Sequence, residues 1–121
     1  MSKRAVLIVA RDPMTGALIG SLVDVSGFEP VFPAPSEDPA NTIARIRPAV
    51  VLVDCDTVNE EECYRLAARH GGAVILFSPS RSEAEVRVVA ASRGYRYFAL
   101  PIRWTEFKSL LDEVLKPDSP S

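Results

Sequence analysis

Cysteine is scarce in this chain, histidine and tryptophan occur once each, and neither sign of charge dominates. The two cysteines, Cys55 and Cys63, lie in apolar stretches without ligand spacing. They supply neither a disulfide framework nor a zinc site and read as reduced packing residues. His70 is the sole imidazole, which leaves no histidine cluster for a metal. Fourteen Lys and Arg against sixteen Asp and Glu give a net charge of −2. A protein that grips a phosphate backbone needs a cationic excess, so no direct nucleic-acid partner is expected. The longest apolar runs, Ala5 to Ala10 and Ala73 to Phe77, fall far short of the roughly 20 residues that span a bilayer. Met1-Ser-Lys-Arg leads into a stretch too short for a secretory signal and lacks a small-residue cleavage site. A cytoplasmic location without membrane association is the expectation. No G-x-G-x-x-G or P-loop string occurs, which argues against a nucleotide-binding module.

What remains is the composition of an ordinary folded domain, with 47% apolar and 25% charged residues in 121. We read residues 1–115 as one domain and 116–121, Lys-Pro-Asp-Ser-Pro-Ser, as a solvated tail or the start of a linker. Five apolar segments alternate with helical ones. Ala5–Ala10 and Ala49–Asp54 are continuous β-branched runs, as suits strands covered on both faces. Phe28–Phe32, broken by Pro30, predicts a short edge strand. Ala73–Ser78 and Tyr95–Leu100 complete the set. Between them, Asp12-Pro13 predicts a helix start with Leu18, Leu22 and Val25 at helical spacing. A short helix through Ile43 and Ile46 ends before Pro48. A third helix runs from about Asn59 to His70, with Gly71-Gly72 at its end. Ser82 and Glu85 form a capping box. Thr105 is expected to cap a last helix presenting Phe107, Leu110, Leu111 and Val114. Strict β–α alternation specifies a parallel sheet with helices on both sides, whose chemistry gathers at the carboxyl ends of the strands.

Those ends carry Arg11-Asp12, Asp54-Cys55-Asp56, Ser78-Pro79 and Leu100-Pro101. Over about Lys3 to Leu115, the chain resembles the response-regulator receiver domains. Pro48-Ala-Val-Val-Leu-Val-Asp54 matches the strand leading to their phosphoacceptor aspartate, and Ser78 the Ser or Thr ending the fourth strand. Tyr97 matches the aromatic switch residue, and Pro101 the proline after the conserved lysine position. The resemblance implies a flavodoxin-like, doubly wound α/β fold of five parallel strands in the order 2-1-3-4-5. It also implies a role in two-component phosphorelay signalling, with Asp54 as phosphoacceptor, Ser78 contacting the phosphoryl group, and Mg²⁺ held by carboxylates including Asp12 and Asp54. Its protein partners would be a histidine kinase or an effector domain, and the domain would not itself be an enzyme.

The sequence departs from that pattern where the chemistry resides. Ala10 and Arg11 stand where the resemblance expects the acidic pair that binds Mg²⁺, so any metal held by Asp12 and Asp54 would be held weakly. Leu100 replaces the lysine that neutralises the phosphoryl oxygens. Pro79 replaces a residue whose backbone N–H would donate to them, and proline has none. Phosphoryl transfer depends on positioning and charge neutralisation, so these losses predict an atypical receiver, impaired in Mg²⁺-dependent phosphorylation and acting as an interaction module. The alternatives are a phospho-competent receiver using Asp54, or an Asp54-Cys-Asp56 motif like that of haloacid-dehalogenase-type phosphatases, which would need a further lysine and acids at later strand ends. Asp12 as a plain helix cap, and Asp54 paired with Arg11, are the corresponding structural expectations. For the interaction module, Arg96, Tyr97, Arg103 and Trp104 nominate the face of the fourth helix, fifth strand and fifth helix as a partner or homodimer surface.

Overall fold

A fully apolar strand is stable only when both of its faces are covered, and the chain satisfies that condition with helices on either side of one sheet. The elements are β1 (Ala5–Val9), α1 (Pro13–Val25), β2 (Glu29–Val31), α2 (Pro39–Ile46), β3 (Val50–Asp54), α3 (Glu60–Arg69), β4 (Ala73–Phe77), α4 (Glu83–Arg93), β5 (Arg96–Tyr97) and α5 (Trp104–Leu115). They come from a computed structural model that describes residues 4–56, 60–70 and 73–115. The strands pair in parallel in the order β2-β1-β3-β4-β5, the doubly wound topology that the resemblance implied. The expected tail at 116–121, Asn59 and Gly71-Gly72 lie outside the described residues, as does the side chain of Cys63.

Strand alternation divides the core in two. Leu7, Val9, Val51, Val53, Val74 and Leu76 point to one side, where Ile43 of α2, Ala67 of α3, and Val86 and Ala90 of α4 cover them. Val6, Ile8, Val50, Leu52, Ile75 and Phe77 point to the other, under Ile19 and Val23 of α1 and Phe107 and Leu111 of α5. Phe98 joins β4 to α5 there, stacked on Phe77 at 5.3 Å and edge-on to Phe107 at 5.5 Å.

Helix starts follow the sequence closely. Asp12 caps α1 with Pro13 in the first turn and Ser82 with Glu85 forms the complete capping box of α4, both as expected, while α2 opens on Asp38 and Pro39, a start not read from the sequence. Other expectations are corrected. α1 does not bury Leu18 and Val25, which are exposed, but Thr15, Gly16, Ile19, Gly20 and Val23. The glycines permit this, because Phe32 packs so closely that a Cβ on Gly20 would lie 2.9 Å from its ring. β5 spans two residues rather than six, although the Phe98 N–H still donates to the Leu76 carbonyl of β4 at 3.0 Å while its ring stacks on Phe77. α5 starts at Trp104, its first turn closing on the Arg103 carbonyl, so Thr105 lies inside the helix instead of capping it.

Candidate functional site

Parallel strands bring their carboxyl ends to one edge, and the register decides which side chains meet there. Asp54, the last residue of β3, lies beside Phe77 of β4, so Ser78 follows at the next position. Both are buried, at 1% and 2% exposure. With Asp12 at the end of the β1–α1 connection, the three residues singled out from the sequence reach the same edge. Arg11, Asp12, Asp54, Asp56, Pro79 and Arg81 line an open cleft of about 550 Å³.

Each carboxylate at this edge has a different environment. Asp54 accepts the N–H of Asp56 at 2.8 Å, and the Arg11 backbone N–H also donates to it. Burial nonetheless dominates and raises its carboxyl above the ordinary value, with the Asp56 charge adding to the rise and the Arg11 charge opposing it. Asp12 is occupied by its helix. Its carboxylate accepts the Thr15 hydroxyl at 2.8 Å and the N–H groups of Thr15 and Met14 at 3.2 and 3.4 Å. The Thr15 hydroxyl, followed by its N–H, holds that carboxyl below the usual range.

Asp56 is the hub of the edge. One oxygen, Oδ2, accepts the hydroxyls of Ser80 at 2.7 Å and Ser78 at 3.0 Å, while Oδ1 accepts Arg81 Nε at 2.8 Å. The Ser80 hydroxyl is the foremost cause of an Asp56 carboxyl held below its ordinary range, against the opposing effect of burial. Ser78 is committed in turn, because its oxygen accepts the N–H groups of Ser80 and Arg81 at 3.2 and 3.0 Å while its proton goes to Asp56. The ion pair at the strand ends thus joins Arg81 to Asp56, where the sequence suggested Arg11 with Asp54. Asp56, Ser80 and Arg81 form the centre that sequence reasoning underweighted. The available signal was a polar string after β4, Ser78-Pro-Ser-Arg81, facing the D-x-D string after β3.

A divalent cation of the Mg²⁺ kind needs several oxygen ligands free to turn toward it. Here Asp12 is spent on the amides of α1, Asp56 on two serines and a guanidinium, and Arg11 opens into the same cleft. Among the described residues, no group of three His, Cys, Asp or Glu side chains is placed to hold a metal. The donor set does not fit a resident cation. Leu100, at the lysine position of the resemblance, packs against the α1 and α5 core.

On the α4–β5–α5 face, Arg87 Nε donates to the Tyr97 hydroxyl at 3.0 Å, and Arg96 pairs with Glu113. Arg103 is exposed, and Trp104 is 45% exposed. Beside them lies a groove of about 620 Å³, with Phe98, Ile102 and Leu110 among its apolar lining and Glu83, Glu106 and Glu113 among its acids. The face is mixed in charge, with Arg87 and Arg96 paired to Glu83 and Glu113 on the same surface.

No family model matches the chain, and no curated protein sequence does. Solved structures do match. The fold is the flavodoxin-like, doubly wound sheet, and within that class it is that of the CheY-like response-regulator receiver domains. The BeF3-activated receiver domain of RstA from Klebsiella pneumoniae superposes with a TM-score of 0.73 at 20% identity, covering 93% of this chain and 99% of that one. The receiver domain of a sensor histidine kinase from Pseudomonas aeruginosa, described with a magnesium ion coordinated in the active-site cleft, gives 0.74 at 16% identity, covering 94% and 98%. Chemotaxis protein CheY4 of Vibrio cholerae gives 0.72 at 14% identity, covering 94% and 100%. Among the described residues no helix is long and apolar enough to cross a membrane.

Proposed function

We propose that the chain is an atypical receiver domain of two-component signalling, a cytoplasmic and non-enzymatic module that works through protein contacts and not through Mg²⁺-dependent phosphorylation of Asp54. The observation that carries this reading is the Asp56 network. The hydroxyl of Ser78, the residue expected to meet a phosphoryl group, donates to a carboxylate that already holds a guanidinium. An incoming phosphoryl group would have to displace that carboxylate, without a cation site, a lysine or the Pro79 N–H to offset the cost. The same network opposes a phosphatase reading, since an Asp56 kept ionised against Arg81 has no proton to give a leaving group.

Intact mass after incubation with acetyl phosphate and Mg²⁺ tests the proposal. The expected result is no gain of about 80 Da, the mass of one phosphoryl group. A stable phosphorylated species that Asp54→Asn abolishes would restore the phospho-competent receiver. The partner, a histidine kinase or an effector domain, is assigned to the α4–β5–α5 groove, where Trp104 supplies an exposed aromatic beside an apolar floor. Losing a central anchor costs roughly 2 kcal/mol, or about 30-fold in affinity. Co-isolated protein should therefore fall with Trp104→Ala and Arg96→Ala and stay unchanged with Asp54→Ala. Dependence on Asp54 alone would move the functional surface to the acidic cleft.

A further inference from the structure

The connection from β4 to α4 is held by one side chain of the neighbouring strand end. Asp56 accepts the hydroxyls of Ser78 and Ser80 and the Nε of Arg81, so it grips three of the four residues between β4 and Ser82, the N-cap of α4. Asp56 is itself mounted on the sheet. Its N–H donates to the buried Asp54 carboxyl at 2.8 Å, and the Cys55 N–H before it donates to the Phe77 carbonyl at 2.8 Å, continuing the β3–β4 ladder. α4 depends on such a hold because it buries little of itself. Among its described side chains Val86 and Ala90 alone are buried, so only a small apolar area presses the helix to the sheet. Its far end is fixed by other means. The N–H groups of Gly94 and Tyr95 close on the Ala91 and Ala90 carbonyls, and the chain runs directly into β5. The start of the helix is the end left to Asp56.

We infer that Asp56 is a latch on α4. Closed, it fixes the β4–α4 connection and the first turn of the helix; open, it releases both as one local unit. Segments with few buried apolar contacts open at less than the global free energy, which is what gives the latch two states. What it governs is one wall of the α4–β5–α5 groove. Glu83, in that first turn, lines the groove, and Arg87 one turn later bridges Glu83 Oε1 at 3.4 Å to the Tyr97 hydroxyl at 3.0 Å. On the reading that this groove receives the protein partner, a partner that fits the closed wall is favoured by Asp56 and, by reciprocity, tightens the latch.

Native-state hydrogen exchange of the full chain, followed by NMR, reads the latch without a partner. The reporting amides are that of Arg81, which donates to Ser78 Oγ, and those of Glu85 and Val86, which donate to the Ser82 side chain and carbonyl. Asp56→Ala should speed their exchange by about tenfold or more, while amides of β1, β3 and α1 keep their rates. Ser80→Ala, which removes one hydroxyl at an exposed position, should accelerate the same amides by less. Arg81→Ala should have a smaller effect on top of Asp56→Ala than alone, as partners in one contact do. Arg11→Ala, in the same cleft but outside the Asp56 hydrogen bonds, should leave these amides unchanged. Exchange at the start of α4 indifferent to Asp56→Ala, an acceleration spread evenly over sheet and helices, or full additivity of Asp56→Ala and Arg81→Ala would each overturn the latch. Phosphorylation of Asp54 enters none of these measurements, so the latch and the receiver reading can fail separately.

Discussion

Asp54 and Asp56 show how two carboxylates separated by one residue acquire opposite characters. Asp54 ends a strand inside the fold, and burial raises its pKa. The folded protein therefore keeps a proton that the unfolded chain releases, and stability declines as pH rises from the ordinary value of 3.8 through the raised one. Asp54→Asn removes that penalty while retaining an acceptor for the Asp56 N–H. Its Tm should exceed that of the wild type at neutral pH. The difference should close as pH falls toward 3.8, as thermal denaturation across pH would measure. Asp54, Ser78 and Asp12 were legible in the sequence because each ends an apolar run or opens a helix. The engagement of Asp56 with Ser80 and Arg81 was not, because it depends on which strand lies next to which and on the path of the chain after Ser78.

At the scale of elements, α1 is the instructive case. Apolar residues occur all round it, so Leu18, Leu22 and Val25 fit helical spacing as well as Ile19 and Val23 do. The true inner face is identified by its glycines, which admit the ring of Phe32. Gly16 and Gly20 should respond differently to alanine. A Cβ on Gly16 would find its nearest neighbours at 3.6 and 3.7 Å, ordinary contacts, so Gly16→Ala should gain about 0.5 kcal/mol of helix stability. On Gly20 it would meet Phe32 at 2.9 Å, and the ring must shift, cancelling that gain. Urea denaturation of both variants would separate them. The short β5 was hidden for a related reason. Its aromatic residues have strand propensity, but the ring of Phe98 is held between Phe77 and Phe107 while its N–H still pairs with the Leu76 carbonyl of β4.

For the whole molecule, the alternation of apolar and polar segments was enough to indicate a parallel sheet covered on both faces of β1, β3 and β4, while the doubly wound strand order rested on the resemblance to receiver domains. The acid response of that whole is a balance. While Asp54 favours folding as pH falls, Glu37 does the reverse. Both Glu37 oxygens accept from the Arg45 guanidinium, at 2.8 and 3.1 Å, and this pairing, with help from Thr42, lowers its pKa from 4.5 to about 2. The stabilisation is complete above pH 4.5 and is lost as pH falls toward 2. Glu37→Gln should therefore be less stable than the wild type at neutral pH and converge with it near pH 2, as acid titration followed by circular dichroism would reveal.

The single tryptophan, Trp104, stands half-exposed at the start of α5. Its indole is thus a built-in fluorophore for the partner contact proposed at that face. A protein seated on the α4–β5–α5 groove would shift its emission to the blue, so one unlabelled sample read in a cuvette reports whether that surface is engaged.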